Sequence, residues 1–172
     1  YGIAALSFGI IFLLILIWSV VSKGYTAFQQ TMITVPVEFS EQVIDPQNER
    51  ATDPQKLMTA NYPILARNAV AKVLGVAEND RAGLRAVNQM ISDGVRTQLR
   101  DMVVANPSLI GTTQTVSLLA AGDLDSAFKG QIDLSVPETN RKVSDRQVGW
   151  MNQLAESGAL AKHFNTGIFV NG

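Results

Sequence analysis

Tyr1 to Ser22 reads YGIAALSFGIIFLLILIWSVVS, a run with no charged residue, and Lys23 ends it. At about 1.5 Å per residue a helix over this run reaches roughly 33 Å, enough for a bilayer core of about 30 Å. A helix satisfies every backbone donor and acceptor within one segment, as hydrocarbon requires. Tyr1, Trp18 and Tyr25 suit the two interfacial zones, where amphipathic rings settle. A secretory signal fits poorly, because its apolar region is shorter and ends at small residues, whereas this run ends in bulky Trp18, Val20 and Val21. A buried core helix fits poorly too, since it rarely lacks polar residues on every face. The expectation is a transmembrane helix over residues 1–22, followed by one domain over residues 23–172. Tyr1 is not an initiator methionine, and sequence upstream is expected.

Composition bounds the remainder. All 14 Lys and Arg and all 15 Asp and Glu follow the apolar run, and the net charge is -1. A near-neutral surface of this kind offers no electrostatic case for nucleic acid. About 150 residues suffice for a single domain with a sizeable core. The absence of cysteine removes disulfides and thiolate metal sites but does not identify a compartment.

Patterning then predicts an α+β domain with three main helices and several short strands. In Thr31 to Ser40 (TMITVPVEFS), Ile33, Val35, Val37 and Phe39 share one parity, as in a half-buried strand. Pro36 cannot donate to a ladder, so this strand is expected at an edge or with a bulge. Asp53 with Pro54 reads as a helix start, with Met58, Tyr62, Leu65, Ala69 and Val73 on one face, a kink or restart near Asn61 caused by Pro63, and an end at Gly75. From a cap at Asn79 or Asp80, the positions Leu84, Val87, Ile91, Val95, Leu99, Met102 and Val103 predict one long amphipathic helix stopping before Pro107. Thr112 to Ala121 reads as a strand, with a helical turn over Leu124 to Lys129 after Gly122. Ile132 to Val136 is expected as a further short strand. Ser144 and Gln147 stand at capping-box spacing before a helix running to about Gly158, and Ile168 to Val170 closes the chain as a strand.

The chemistry-bearing candidates each meet a plain structural explanation. His163 is the only histidine, and no serine is marked as activated beside it, so a solvated or helix-capping role is favoured. Asp123 and Asp125 form an Asp-x-Asp pair without the glycine and distal glutamate of a calcium loop. Asp45, Glu49 and Asp53 sit before a helix start, where solvation suffices. There is no Walker-type loop, no dinucleotide glycine motif and no carboxylate pair in an acid-base context. Catalytic, cofactor-binding and metal-binding residues are therefore expected to be none.

Several local signatures, taken in order, resemble one family. They are Ala60 to Ala66 (ANYPILA), Asp93 to Val103 (DGVRTQLRDMV), Gly122 to Gly130 (GDLDSAFKG), Ser144 to Trp150 (SDRQVGW) and Phe164 to Phe169 (FNTGIF), behind a leading membrane helix. Together they are similar to the N-terminal extension of certain PstA-type permeases, membrane subunits of the phosphate ABC importer. The resemblance implies a bacterial inner-membrane protein with its domain in the periplasm, cut before the transport domain. It implies as partners the lipid bilayer, a second permease subunit, an ATPase subunit and a periplasmic phosphate-binding protein. No permeation or coupling residue of that family has a counterpart in this chain. The domain's role would be docking, assembly or regulation. No tight phosphate site is expected, because the helix starts near Asp53, Asp80 and Ser144 carry carboxylates that repel an anion. The alternative from another class is a membrane-anchored sensor domain for a small ligand; an anchored hydrolase ranks last.

Overall fold

A computed structural model of the chain describes residues 2–25 and 29–164. It falls into two units, one of Tyr1–Gln30 with Lys162–Gly172 and the other of Thr31–Ala161.

The first unit holds helix α1, Gly2–Gly24, in which no residue is buried. It is long and apolar enough to cross a membrane. Its hydroxyls do not call for water: Ser7 Oγ donates to the Ile3 carbonyl at 2.9 Å and Ser22 Oγ to the Ser19 carbonyl at 3.2 Å. Such back-bonding lets serine sit inside an apolar helix. In the same unit the rings of Tyr25 and Phe164 pack with centroids 5.9 Å apart.

The second unit is a mixed α+β domain. The sheet has the order β2-β1-β3, with β1 at Gln29–Glu38, β2 at Thr113–Leu119 and β3 at Leu160–Phe164. β1 and β2 run antiparallel, pairing Ile33 with Leu118, Val35 with Val116 and Val37 with Gln114. Period-two alternation puts Ile33, Val35, Val37 and Phe39 into the core, as their common parity requires. The expectation that Pro36 marks an edge strand or a bulge is corrected, since β1 is the central strand. Parity explains why proline is tolerated there. Phe39 donates to Thr112 on the β2 side, whereas Thr34, of opposite parity, donates to the Ala159 carbonyl at 2.7 Å on the other side. Pro36 shares the parity of Thr34, so its missing N–H costs no β1–β2 bond, and the residue is exposed.

Helices pack on the core face. Two short ones, α2 (Glu41–Ile44) and α3 (Lys56–Thr59), precede α4 (Tyr62–Leu74). The restart expected near Asn61 is present, with Pro63 inside the first turn of α4. The start at Asp53 is not: residues 51–55 form no helix, and α3 begins at Lys56. Tyr62, Leu65 and Ala69 are buried as expected, but Met58 and Val73 are exposed, and Ala66 and Val70 complete the inward face instead. α4 ends at Gly75, whose φ of 70° is left-handed and whose N–H returns to the Ala71 and Lys72 carbonyls.

The single helix expected from residue 80 to 106 is two, α5 (Arg81–Gln89) and α6 (Val95–Ala105). The break comes from competition for backbone groups. Ser92 donates its N–H to the Leu119 carbonyl at 2.9 Å, and Ile91 forms an antiparallel bridge with Ala120. α6 does stop before Pro107. After β2 come α7 (Gly122–Phe128) and α8 (Asp145–Glu156). No strand forms over residues 132–136; that segment turns, with the Asp133 carboxylate accepting from Ser135 N–H at 2.9 Å. Among the described residues the domain has four helices of nine or more residues, α4, α5, α6 and α8, because the long amphipathic stretch divides in two. β3 was not legible from patterning, and the strand expected at Ile168–Val170 lies outside the described residues. The core joins Tyr62 and Val70 of α4, Val87 of α5, Leu99 and Val103 of α6 and Leu154 of α8 to the sheet.

Candidate functional site

The break between α5 and α6 produces the domain's polar cleft. The joint is fastened to the start of α7 by the Ala121 N–H, which donates to the Met90 carbonyl at 2.9 Å. α8 closes a third side through Gln147, a buried residue whose Nε2 donates to the Ala86 carbonyl at 2.9 Å and to Gln89 Oε1 at 3.3 Å. Gln147 is held there by the capping box, in which its Oε1 accepts from Ser144 N–H at 2.9 Å while Ser144 Oγ accepts from Gln147 N–H at 3.2 Å. The space enclosed is about 720 Å³, walled by residues 88–93, 121–124, Lys142, Val143 and Gln147. Its charged groups are Asp93, Asp123 and Lys142, with Lys142 Nζ 3.6 Å from Asp123 Oδ1. A second groove of about 860 Å³ is more apolar, between Pro36 and Thr113 on the sheet and Leu65, Ala69, Val73, Val76 and Leu84 on the helices.

The carboxylates singled out in the sequence are taken apart by the fold. Asp123 is exposed in the cleft wall, while Asp125, two residues on, turns away to Thr31 and Lys129. Burial is the largest influence on the Asp125 carboxyl and pushes it up, yet hydrogen bonds from Lys129 and from the Thr31 hydroxyl and N–H together outweigh it and hold it below the usual range. Asp45 corrects the expectation of a solvated acidic cluster. It is 2 % exposed, and the loop wraps round it so that the N–H groups of Glu49 and Arg50 reach its oxygens at 2.8 and 3.1 Å. Glu49 pairs with Lys56 at 2.9 Å, and Asp53 accepts from Gln55 N–H. His163 stands exposed in β3, so the solvated role fits and the helix-capping role does not. Among the described residues no three of His, Asp or Glu gather as a metal site.

Several residues that carry the resemblance hold the fold, and residues 165–169 of the last signature lie outside the described residues. Tyr62 is fully buried, its hydroxyl donates to the Leu57 carbonyl at 2.6 Å, and burial pushes its phenol up. Arg146 donates to Asp80 at 2.6 Å and lies 4.6 Å above the Trp150 ring. That guanidinium, with the Gly83 N–H, holds the Asp80 carboxyl below its usual range. Three of the five signatures nevertheless meet at one place: Asp93, Gly122 with Asp123, and Gln147 all line the cleft. Asn88, Gln89 and Lys142 join them, and nothing in their local sequence announced it.

An apolar helix ahead of an α+β domain with a polar cleft defines the class. Residues 1–138 match a family described as a domain of unknown function, DUF3333, and the chain belongs to it. The match covers α1 and the domain as far as the turn before α8; the signatures at Ser144–Trp150 and Phe164–Phe169 lie beyond it. No curated protein and no solved structure matches the chain.

Proposed function

We propose that the chain is the membrane-tethered N-terminal part of a PstA-type permease of a phosphate importer, and that its folded domain works in the periplasm by contact rather than by catalysis. α1 carries this proposal. A helix with no buried residue, and with Lys23 alone charged, is suited to lipid on every face. The ordered signatures from Ala60 to Trp150 supply the link to the permease family, and the bilayer, the second permease subunit, the ATPase subunit and the phosphate-binding protein follow as partners. The domain docks the binding protein, or assembles or regulates the permease pair.

Phosphate itself is not the domain's ligand in this proposal. The cleft carries two carboxylates against one ammonium, and α5 begins on the Asp80 carboxylate, an arrangement that disfavours an anion. The test is the affinity of the full permease for its phosphate-binding protein, with residues 30–165 intact or replaced by a short flexible linker. Weaker binding by the linker form is expected; equal affinity would sink the docking role.

The cleft itself favours a second reading, a sensor domain for a small polar ligand, since it is polar and joined to three segments of the fold. Sequence downstream of residue 172 separates the two. Several hydrophobic spans belong to a permease, and a kinase or chemotaxis-type module to a sensor.

A further inference from the structure

Asp125 takes no part in the cleft, although it directly follows the cleft-lining residues Gly122–Leu124 on α7. Its Oδ1 accepts from the Thr31 backbone N–H at 3.0 Å and from Thr31 Oγ1 at 2.6 Å, and its Oδ2 takes Lys129 Nζ at 2.8 Å. Thr31 is 2 % exposed and the Lys129 side chain 8 %, so these donors are withdrawn from water. Thr31 is also where the chain arriving from α1 enters the folded unit, whose boundary falls between Gln30 and Thr31.

The sheet explains why a side chain is needed there. The β1–β2 register ends with Met32 opposite Leu119, and Ala120 N–H still donates to the Thr31 carbonyl at 3.1 Å. A complete antiparallel pair would return the Thr31 N–H to Ala120. The chain instead turns at Ala121 into α7, and the Asp125 carboxylate stands in for the strand carbonyl. A neutral acceptor could satisfy one N–H. A half-buried carboxylate held by a largely buried ammonium is a costly substitute, and such pairs are best attested as devices that specify one arrangement.

We infer that Asp125 is a latch that fastens the root of β1 at Thr31 to α7, so that the start of the central strand and the cleft wall Gly122–Leu124 are held as one piece. Releasing it frees the root locally and leaves the helical core closed. This holds whether the domain serves a permease or a sensor, because it depends only on the contacts among Thr31, Asp125 and Lys129.

Amide hydrogen exchange on the whole chain in detergent micelles tests it, with Thr31 and Ala120 as reporters and Val70, Leu99 and Leu154 as controls. Hydrogen bonds to a charged group are strong enough that Asp125→Asn is expected to speed exchange at the reporters by about tenfold to a hundredfold. The controls are expected to stay within about twofold of wild type, as for a local rather than a global opening. Thr31→Val, which keeps the ion pair, is expected to give a smaller rise at the same reporters, and Thr31→Ser none. Should Asp125→Asn fail to fold, the two Thr31 variants carry the decision. Equal acceleration at reporters and controls, no acceleration at either, or Thr31→Ser behaving as Thr31→Val would each overturn the latch.

Discussion

Helix α1 and the domain that follows it use apolar residues in opposite ways. In α1, Leu13, Ile15 and Leu16 are about half exposed or more, like every large apolar residue of the helix. In the domain, Leu99, Leu118 and Leu154 have no exposed surface at all. A helix with no polar face has nothing to turn toward water and leaves its whole surface for lipid. An amphipathic one commits its apolar stripe to a neighbour. The difference teaches that apolar content by itself says little about burial; what decides is whether polar residues interrupt it at the period of the element.

The sharpest test of that contrast is the same substitution in both places. Leu99→Ala is expected to lower domain stability by about 2–5 kcal/mol, the usual result of emptying a closed site. Leu13→Ala is expected to leave it unchanged, with urea unfolding in micelles as the measurement. A comparable loss from Leu13→Ala would mean that α1 is packed against protein.

A smaller effect follows from the capping box of α8. Ser144→Ala removes the acceptor for Gln147 N–H and is expected to cost about 1 kcal/mol in the same titration. It also loosens Gln147 in the cleft wall, so the amide signals of Ala86 and Gln89 are expected to shift while those of α1 do not.

Acid gives the mildest contrast. The Asp80 and Asp125 carboxyls both lie below their ordinary value when folded. Their stabilising contribution is therefore fully present above the unfolded carboxylate pKa of about 3.9, and it is lost as pH falls through the lower folded values. Domain stability is expected to be indifferent to these two groups from neutral pH down to that region and to decline below it. Asp80→Asn is expected to reduce the decline, and α1, which has no carboxylate, contributes nothing to it.

What was legible in the sequence was whatever is local. The uncharged run of α1, the parity of Ile33 to Phe39, the Asn61 restart before Pro63 and the Ser144–Gln147 box each depend on residues a few positions apart, and each is found where expected. The larger failures involve distant partners. Ile91 and Val95 kept helical spacing across a break that exists because Ser92 is bound by Leu119; the triplet Ser92-Asp93-Gly94, poor in helix formers, was the available warning. The place of β1 in the centre of the sheet depends on Ala159, far along the chain. The cleft was hidden for the same reason. It is assembled from the α5–α6 joint, the start of α7 and one face of α8, and Asp123 and Asp125 look equivalent until the fold sends one to the cleft and the other to Thr31.

Phosphate uptake tests the central proposal most directly. Cells would carry the full-length permease, either intact or with residues 30–165 replaced by a short flexible linker, at equal amounts in the membrane. A domain that serves transport by contact predicts a clear fall in uptake by the linker form. Uptake at the intact rate, at both scarce and abundant phosphate, would contradict it.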